Sequence, residues 1–479
     1  VRSEFHEKMF GPRIVSAFEE VKARFDPTGL MNPGKIVHAP AMDDRRNFRY
    51  APGYEVPDFE PALDWSAWPG AAGGFQGAVE MCNNNGACRK LKGGVMCPSF
   101  RATRNEREAT RGRANTLRFA ISGQMPGGLA SDAMADTMKF CVSCKGCRRE
   151  CPTGVDMARM KIEVLAARRK DKGLSLADRL VAYLPRYAPR AAKVAWLMNL
   201  RNKSGVMRKL AEPLTNVSHR RDIPVWSSNP FRDDEAQDAD PQVLLFADVF
   251  NRYFEPENLR SALRVMRASG VRVAVAQDGS GKALDCARTL LAVGCIDEAR
   301  KEAQRVIDAT REAVARGVPV VGLEPSSILT FRDEFLGLCP GAEAQALSEA
   351  THTFEEYLAK RPDLPLKTLD CPIYVHGHCH QKAQDAVTPM LELLNKIPGA
   401  DVNFIETSCC GMAGAFGYGP ETIDVSLKMA SLDLFPALEA APENAIVVAD
   451  GTSCRHQIAD GTPRRAIHVA RLLDTALDG

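Results

Sequence analysis

No stretch of this 479-residue chain approaches the roughly 20 consecutive apolar residues of a membrane-spanning helix. The opening residues, VRSEFHEKMFGPR, hold no apolar signal-peptide core. Net charge is small, +2 with histidine neutral, which argues against a nucleic-acid partner. There is no initiating methionine, so a chain beginning at Val1 is a fragment, a processed product or one read from an unusual start. A disulfide framework is not expected either: in a large chain without a secretory signal, a reducing compartment keeps the 15 cysteines as thiols. The expected setting is cytoplasmic, with peripheral docking at the inner membrane left open. The length implies more than one domain.

What is abundant is cysteine in clusters. Four fall in CVSCKGCRRECPTG, as Cys141, Cys144, Cys147 and Cys151, with Pro152 after the last. Soft thiolates select zinc, copper(I) or iron–sulfur clusters. Structural zinc usually takes two separated pairs. Three cysteines two residues apart on one loop, then a fourth before proline, match the bacterial ferredoxin run, whose fourth cysteine ligates the other cluster. Upstream, CNNNGACRKLKGGVMCPSF supplies Cys82, Cys88 and Cys97, again with a proline after the last. By the crossover rule Cys97 completes a [4Fe-4S] set with Cys141, Cys144 and Cys147, and Cys151 joins Cys82 and Cys88. That second set is one cysteine short, which leaves a three-iron cluster, a non-cysteine ligand or no cluster. The arginines of ATRGRANTLRFAISG, which follow, form either a solvated basic face or a belt raising the potential of a buried cluster.

The fold class expected is multidomain: a mostly α ferredoxin-like [4Fe-4S] domain followed by a duplicated α/β domain with largely parallel strands. Pro12 opens a helix with Ile14, Val15, Phe18, Val21 and Phe25 at helical spacing, closed by the turn-rich DPTGLMNPGK. Residues 38–76 are a Pro/Gly-rich linker, 77–172 the iron–sulfur domain, 173–220 a basic helical arm broken by Pro185 and Pro189, and 221–241 a second linker. From residue 242 to 479, short β-branched runs alternate with helical segments. The runs are QVLLFADVF, VRVAVAQ, VPVVGLEP, PIYVHGHC, VNFIETS and AIVVADG.

This last region reads as two copies of one unit, about 242–340 and 371–479. In the second copy Cys379, Cys409, Cys410 and Cys454 follow successive strands. In the first the same places fall to Asp248, Asp285 with Cys286, and Ser327. Loops at the carboxyl ends of parallel strands converge, so the four thiols are expected to meet in a metal or redox site together with His378. His376, His378 and His380 alternate on an extended stretch and cannot all face one site. The first-copy residues should sit pseudo-symmetrically without a metal. Cys286, Cys295, Cys339 and Cys371 read as small buried hydrophobes.

The segment FDPTGLMNPGKIV resembles the end of the flavin-binding domain of FAD-linked oxidases. The cysteine run resembles the ferredoxin-type domain of the glycolate oxidase iron–sulfur subunit and of anaerobic glycerol-3-phosphate dehydrogenase. SCCGMAG resembles the cysteine-rich domain shared with heterodisulfide reductase. Joined in one chain, they resemble the bacterial flavin/iron–sulfur D-2-hydroxy acid dehydrogenases of the D-2-hydroxyglutarate and D-lactate type. The resemblance makes residues 1–37 the tail of a flavin domain, with FAD in the missing upstream part or in a flavoprotein partner. It implies oxidation of a D-2-hydroxy acid (D-lactate, D-2-hydroxyglutarate or glycolate), with electrons passing through the clusters to a quinone or other acceptor. The alternatives are a separate iron–sulfur carrier subunit and a heterodisulfide-reductase-like thiol/disulfide protein; a homo-oligomer stays open. The family's cysteine-rich domain ends in C-x-x-C, and here Gly451 stands for the first of these cysteines.

Overall fold

A computed structural model describes residues 3–44, 46, 56, 59–68, 73–361 and 364–478. Part of the linker expected over 38–76 lies outside the described residues. The chain divides into two compact units, Val1–Pro57 and Asp58–Gly479. In the first, helices α1 (His6–Phe10) and α2 (Pro12–Phe25) are separated by Gly11 at φ 78°. Pro12 stands in the first turn of α2, where no backbone N–H is needed. Asp26 ends α2 and accepts from the N–H groups of Leu30 and Met31, which forms the turn expected there.

In the second unit the iron–sulfur segment is helical: α3 (Gly74–Glu80), α4 (Pro98–Thr103), α5 (Thr110–Ile121), α6 (Asp132–Met138), α7 (Gly146–Glu150) and α8 (Met157–Lys172). Residues 62–65, ahead of α3, are held against α8. Glu163 of α8 accepts from Ala62 N, Leu63 N and Trp65 Nε1 at 2.8–2.9 Å. The guanidinium of Arg159 lies 4.8 Å from the Trp65 ring. Then come α9 (Leu176–Ala182), α10 (Leu184–Lys193), α11 (Ala195–Met198), α12 (Leu200–Lys203) and α13 (Gly205–Thr215). Pro185 and Pro189, expected to break this arm, both lie within α10. Pro185 occupies the first turn, where its missing N–H costs nothing. The breaks fall instead at Tyr183, Val194, Asn199 and Ser204.

The α/β region contains two four-stranded parallel sheets. Strands β1 (Val243–Phe246), β2 (Val273–Val275), β3 (Val320–Gly322) and β4 (Thr351–Thr353) take the order β2-β1-β3-β4. Strands β5 (Pro372–Val375), β6 (Asp401–Phe404), β7 (Ile446–Val448) and β8 (Ala466–Ile467) take the order β6-β5-β7-β8. The orders are identical, as two copies of one unit require. The six β-branched runs all form strands. The edge strands β4 and β8 have no counterpart in the sequence reading, because three and two residues are too few to carry a strand pattern. β1 is buried along its whole length, which is why it reads as a continuous apolar run. Val243, Leu245 and Val321 of one sheet share a core with Ile373, Val375 and Val448 of the other. A second core joins Val95, Ala102, Val142 and Cys144 of the iron–sulfur segment to Cys379, Cys409, Cys410 and Cys454 of the second copy.

Candidate metal centres

The loop between α6 and α7 carries Cys141, Cys144 and Cys147. Two of its non-glycine residues, Ser143 (φ 50°) and Lys145 (φ 60°), adopt the left-handed conformation, which ordinary residues hold only when their surroundings fix them. Lys145 is fixed by salt bridges to Asp333 at 2.7 Å and Glu334 at 2.6 Å, all three side chains nearly fully buried. Gly146 sits so close to Val95 that a Cβ there would lie 2.9 Å from its Cγ1. This close approach brings the loop against the residues leading into Cys97. The result is one cavity lined by Cys97, Cys141, Cys144 and Cys147, with Met96, Pro98 and Arg113 in its wall. All four cysteines are buried. Burial, together with neighbouring acidic groups and thiols, pushes the Cys144 and Cys147 thiols well up. Such thiols stay protonated unless a metal replaces the proton. Four convergent soft donors with apolar walls and one guanidinium fit a four-iron cluster.

The arginines of α5 are not a solvated face. Arg113 is buried; it donates to Cys97 Sγ at 3.6 Å, Ser99 Oγ at 3.0 Å, Glu108 Oε2 at 2.9 Å and Thr137 O at 3.1 Å. Burial works against its charge, and Cys141, Cys97 and Glu108 more than restore it. Arg118 donates to Cys82 O at 2.6 Å, and the backbone N–H of Arg111 points at Cys88 Sγ, 3.5 Å away. Cys82 and Cys88 are thus brought together beside the Arg111 guanidinium. Cys151 is half-buried at the end of α7, its sulfur 3.3 Å from Thr153 Oγ1.

The second copy gathers its thiols as the topology demands. Cys379 follows β5, Cys409 and Cys410 follow β6, and Cys454 follows β7; these strands are neighbours in the order β6-β5-β7. Cys409 donates to the sulfurs of Cys379 and Cys410, and Cys454 and His376 donate to Cys410. Ligand atoms of His376, Cys410 and Cys454 all lie within 4.8 Å of one another. The hydrogen bond from Cys409 lowers the Cys379 thiol to about 6. The same donor, then Cys454, lowers Cys410, whereas Cys409 and Cys454, each bonded to a lowered thiol, are raised. Half-buried Lys382 reinforces this, donating to Thr407 O and Oγ1 at 2.9 and 2.7 Å while facing all four sulfurs. Two acceptor sulfurs, two donor sulfurs and an imidazole make a donor set for a thiophilic metal or cluster.

The three histidines divide. His376, which the sequence pattern did not single out, is the one grouped with Cys410 and Cys454. Its Nδ1 is 3.1 Å from Thr407 Oγ1. His378 caps the helix Cys379–Ala383 by accepting from His380 N. Its ring fills the space at Gly451, where a Cβ would stand 2.4 Å from His378 Cδ2 and 3.2 Å from Cys454 Sγ. His380 points away, to the Ser143 carbonyl at 3.1 Å. That contact, with Ser408 Oγ donating to Val95 O at 2.5 Å, fastens the thiol centre to the cysteine loop of the first set. Cys379 is close enough to Cys144 to perturb its ionisation.

In the first copy Asp248, Asp285, Cys286 and Ser327 follow β1, β2 and β3 and again meet, Cys286 sensing the other three. Burial, then Glu324, raises Asp248 to about 6. Burial, then Glu302, raises Asp285 to about 7. Among the described residues no metal-holding group is formed there. Cys286 and Cys295 are buried as expected, and Cys339 and Cys371 are half-buried.

Two family models match the chain. Residues 78–155 match a 4Fe-4S dicluster domain, and residues 1–36 match the C-terminal domain of FAD linked oxidases. The D-2-hydroxyglutarate dehydrogenase of Escherichia coli K12 is 25% identical over 95% of this chain and 48% of its own length. That of Pseudomonas putida is 25% identical over 98% of this chain and 49% of its own. A subunit of the anaerobic glycerol-3-phosphate dehydrogenase of E. coli K12 is 28% identical over 67% of this chain and 81% of its own. The chain spans about half the length of the D-2-hydroxyglutarate dehydrogenases it matches.

Proposed function

We propose that this chain, which matches FAD-linked oxidases over residues 1–36 and a 4Fe-4S dicluster domain over residues 78–155, is the electron-transfer portion of a flavin-dependent oxidoreductase acting on a D-2-hydroxy acid. The observation that carries the reading is the meeting of Cys97 with Cys141, Cys144 and Cys147 around one cavity, although Cys97 stands 44 positions before Cys141. These four would hold a [4Fe-4S] cluster; Cys82, Cys88 and Cys151 would hold a second; Cys379, Cys409, Cys410 and Cys454, with His376 and His378 at its edge, would hold a metal or cluster in the second copy. When bound, such groups supply one-electron transfer. The protein's part is to keep them apart from water, to compensate their charge with Arg111, Arg113 and Lys382, and to set the thiol centre against the first set through His380 and Ser408.

FAD and the hydroxy acid would be held by the rest of the flavin domain, on the same polypeptide or on a partner. The apolar side chains of α2 that stand exposed in this unit, Phe25 at 81% among them, support such a cover. D-lactate, D-2-hydroxyglutarate and glycolate are the candidate substrates, and a quinone or another carrier, met at the cytoplasmic face of the inner membrane, is the candidate acceptor. A second reading, a separate iron–sulfur subunit of a flavoprotein complex, is favoured by the match to most of the length of the glycerol-3-phosphate dehydrogenase subunit. The match of residues 1–36 to a FAD-linked oxidase weighs against it. The test is iron and sulfide analysis with electron paramagnetic resonance on anaerobically purified chain. At least about four irons and four sulfides per chain are expected, with a signal that appears or changes on reduction. Zinc in place of iron would refute the reading.

A further inference from the structure

The helical arm α9–α13 offers a surface that the electron-transfer reading does not use. α10 buries Ala188, Ala191 and Ala192, which pack with Trp226, Val249 and Tyr253. α13 buries no residue at all. Its Val206, Leu210 and Leu214, spaced four apart and so on one face, are 66–68% exposed. Trp196 on α11 is 69% exposed, and Leu176 on α9, a helix that packs beside α13, is 55% exposed. Between Leu176 and Thr215 the sequence carries eight Lys or Arg and two Asp or Glu, although the whole chain nets only +2. Arg179, Arg190, Lys193, Lys203 and Lys209 are all exposed.

We infer that this arm is a docking surface for an anionic lipid bilayer. An amphipathic helical surface with aliphatic side chains and a tryptophan on one side and lysines and arginines around them lies in the plane of such an interface, the apolar side chains entering the acyl boundary and the cations meeting the headgroups. No helix among the described residues is long and apolar enough to cross a membrane, so the contact is peripheral. Charge separates this surface from the exposed apolar face of α2, where three basic residues are matched by two acidic ones; a nearly neutral apolar face suits a protein cover, and a strongly basic one suits acidic headgroups.

Directly after the arm, Ser218 N donates to Tyr418 O at 2.6 Å, Arg220 pairs with Asp424 at 2.7 Å, and Arg221 Nη1 lies 2.6 Å from Met412 Sδ. The end of the arm is therefore anchored to Met412, two residues past Cys410, and to Tyr418 and Asp424 beyond it. Docking would bring the thiol centre toward the bilayer, where a lipid-soluble electron acceptor resides; this consequence rests on the function proposed above.

The experiment is co-sedimentation of the full chain, clusters intact, with vesicles of phosphatidylcholine alone and with added phosphatidylglycerol. The chain should bind the anionic vesicles, bind phosphatidylcholine weakly, and dissociate as salt rises. Lys203→Gln with Lys209→Gln should lower partitioning about 5-fold for each charge removed. Leu210→Glu with Leu214→Glu should abolish it, and because both leucines are exposed the visible iron–sulfur absorption should be unchanged. That unchanged absorption separates failure of this surface from failure of the electron-transfer reading. The inference is overturned if the chain ignores anionic vesicles or if the Leu210/Leu214 variant still binds them. It is also overturned if, without vesicles, the chain is a dimer that this variant splits, since a second copy would then cover the face.

Discussion

Arg113 is the most direct handle on the first cysteine set. Its guanidinium is buried, 3.6 Å from Cys97 Sγ, and ion-paired to Glu108 at 2.9 Å. For a charge about 5 Å from the centre of a cluster, at an effective dielectric of about 20, the Coulomb energy is about 3 kcal/mol, or about 140 mV for one electron. Glu108, one guanidinium farther out at about 8 Å, opposes this by about 90 mV. Arg113→Gln should therefore lower the midpoint potential of one signal by about 140 mV, and Arg113→Gln with Glu108→Gln by only about 50 mV. The single variant should also be the less stable, because it takes from the buried Glu108 carboxylate one of its two guanidinium partners and leaves only Arg107, at 3.2 Å. Redox titration followed by electron paramagnetic resonance measures the shift, and denaturant unfolding measures the stability. If the single variant keeps its iron and its potential moves by less than about 20 mV, a small fraction of the worked value, Arg113 does not face the cluster. A double variant lying below the single one would refute the electrostatic argument as well.

Cys97→Ser should remove the same four-iron signal as Cys144→Ser, whereas Cys151→Ser should leave that signal intact; loss of different signals by the first two would break the assignment. Stability should also carry a pH signature from the first copy. Asp285, raised to about 7, and Asp248, raised to about 6, bind more protons folded than unfolded. Their contribution is thus full below about pH 4 and declines as pH rises to about 7. Asp285→Asn should accordingly be worth up to about 4 kcal/mol more to the fold at pH 8 than at pH 4, relative to the parent. Urea unfolding followed by circular dichroism across that range checks it, and a pH-independent difference between variant and parent would show that Asp285 is ionised in the fold.

Much of the site was legible in the sequence because its chemistry is local. Thiols two residues apart on one loop, with proline behind the fourth, announce a cluster whatever surrounds them. Six of the eight strands among the described residues were legible as short apolar runs; β1 and β3, buried along their whole length, are written in continuous apolar residues, while β5 alternates between buried and half-buried positions. The identical strand orders then brought Cys379, Cys409, Cys410 and Cys454 together, since neighbouring parallel strands deliver their loops to one edge.

Tertiary structure decided what depends on packing across long separations. That Arg113 is buried against Cys97, when α5 could equally have turned its arginines to water, follows from Glu108, Ser99 and Thr137 meeting it. That His376 rather than His378 groups with Cys410 follows from His378 being spent on a helix cap and on the space at Gly451. The approach of Cys379 to Cys144 needs the shared core between two parts of the chain more than 200 residues apart. Residue types and spacing determine which atoms can bind a metal. Only the folded chain determines which of them share one cavity, because burial and partner contacts are properties of the neighbours and not of the residue itself.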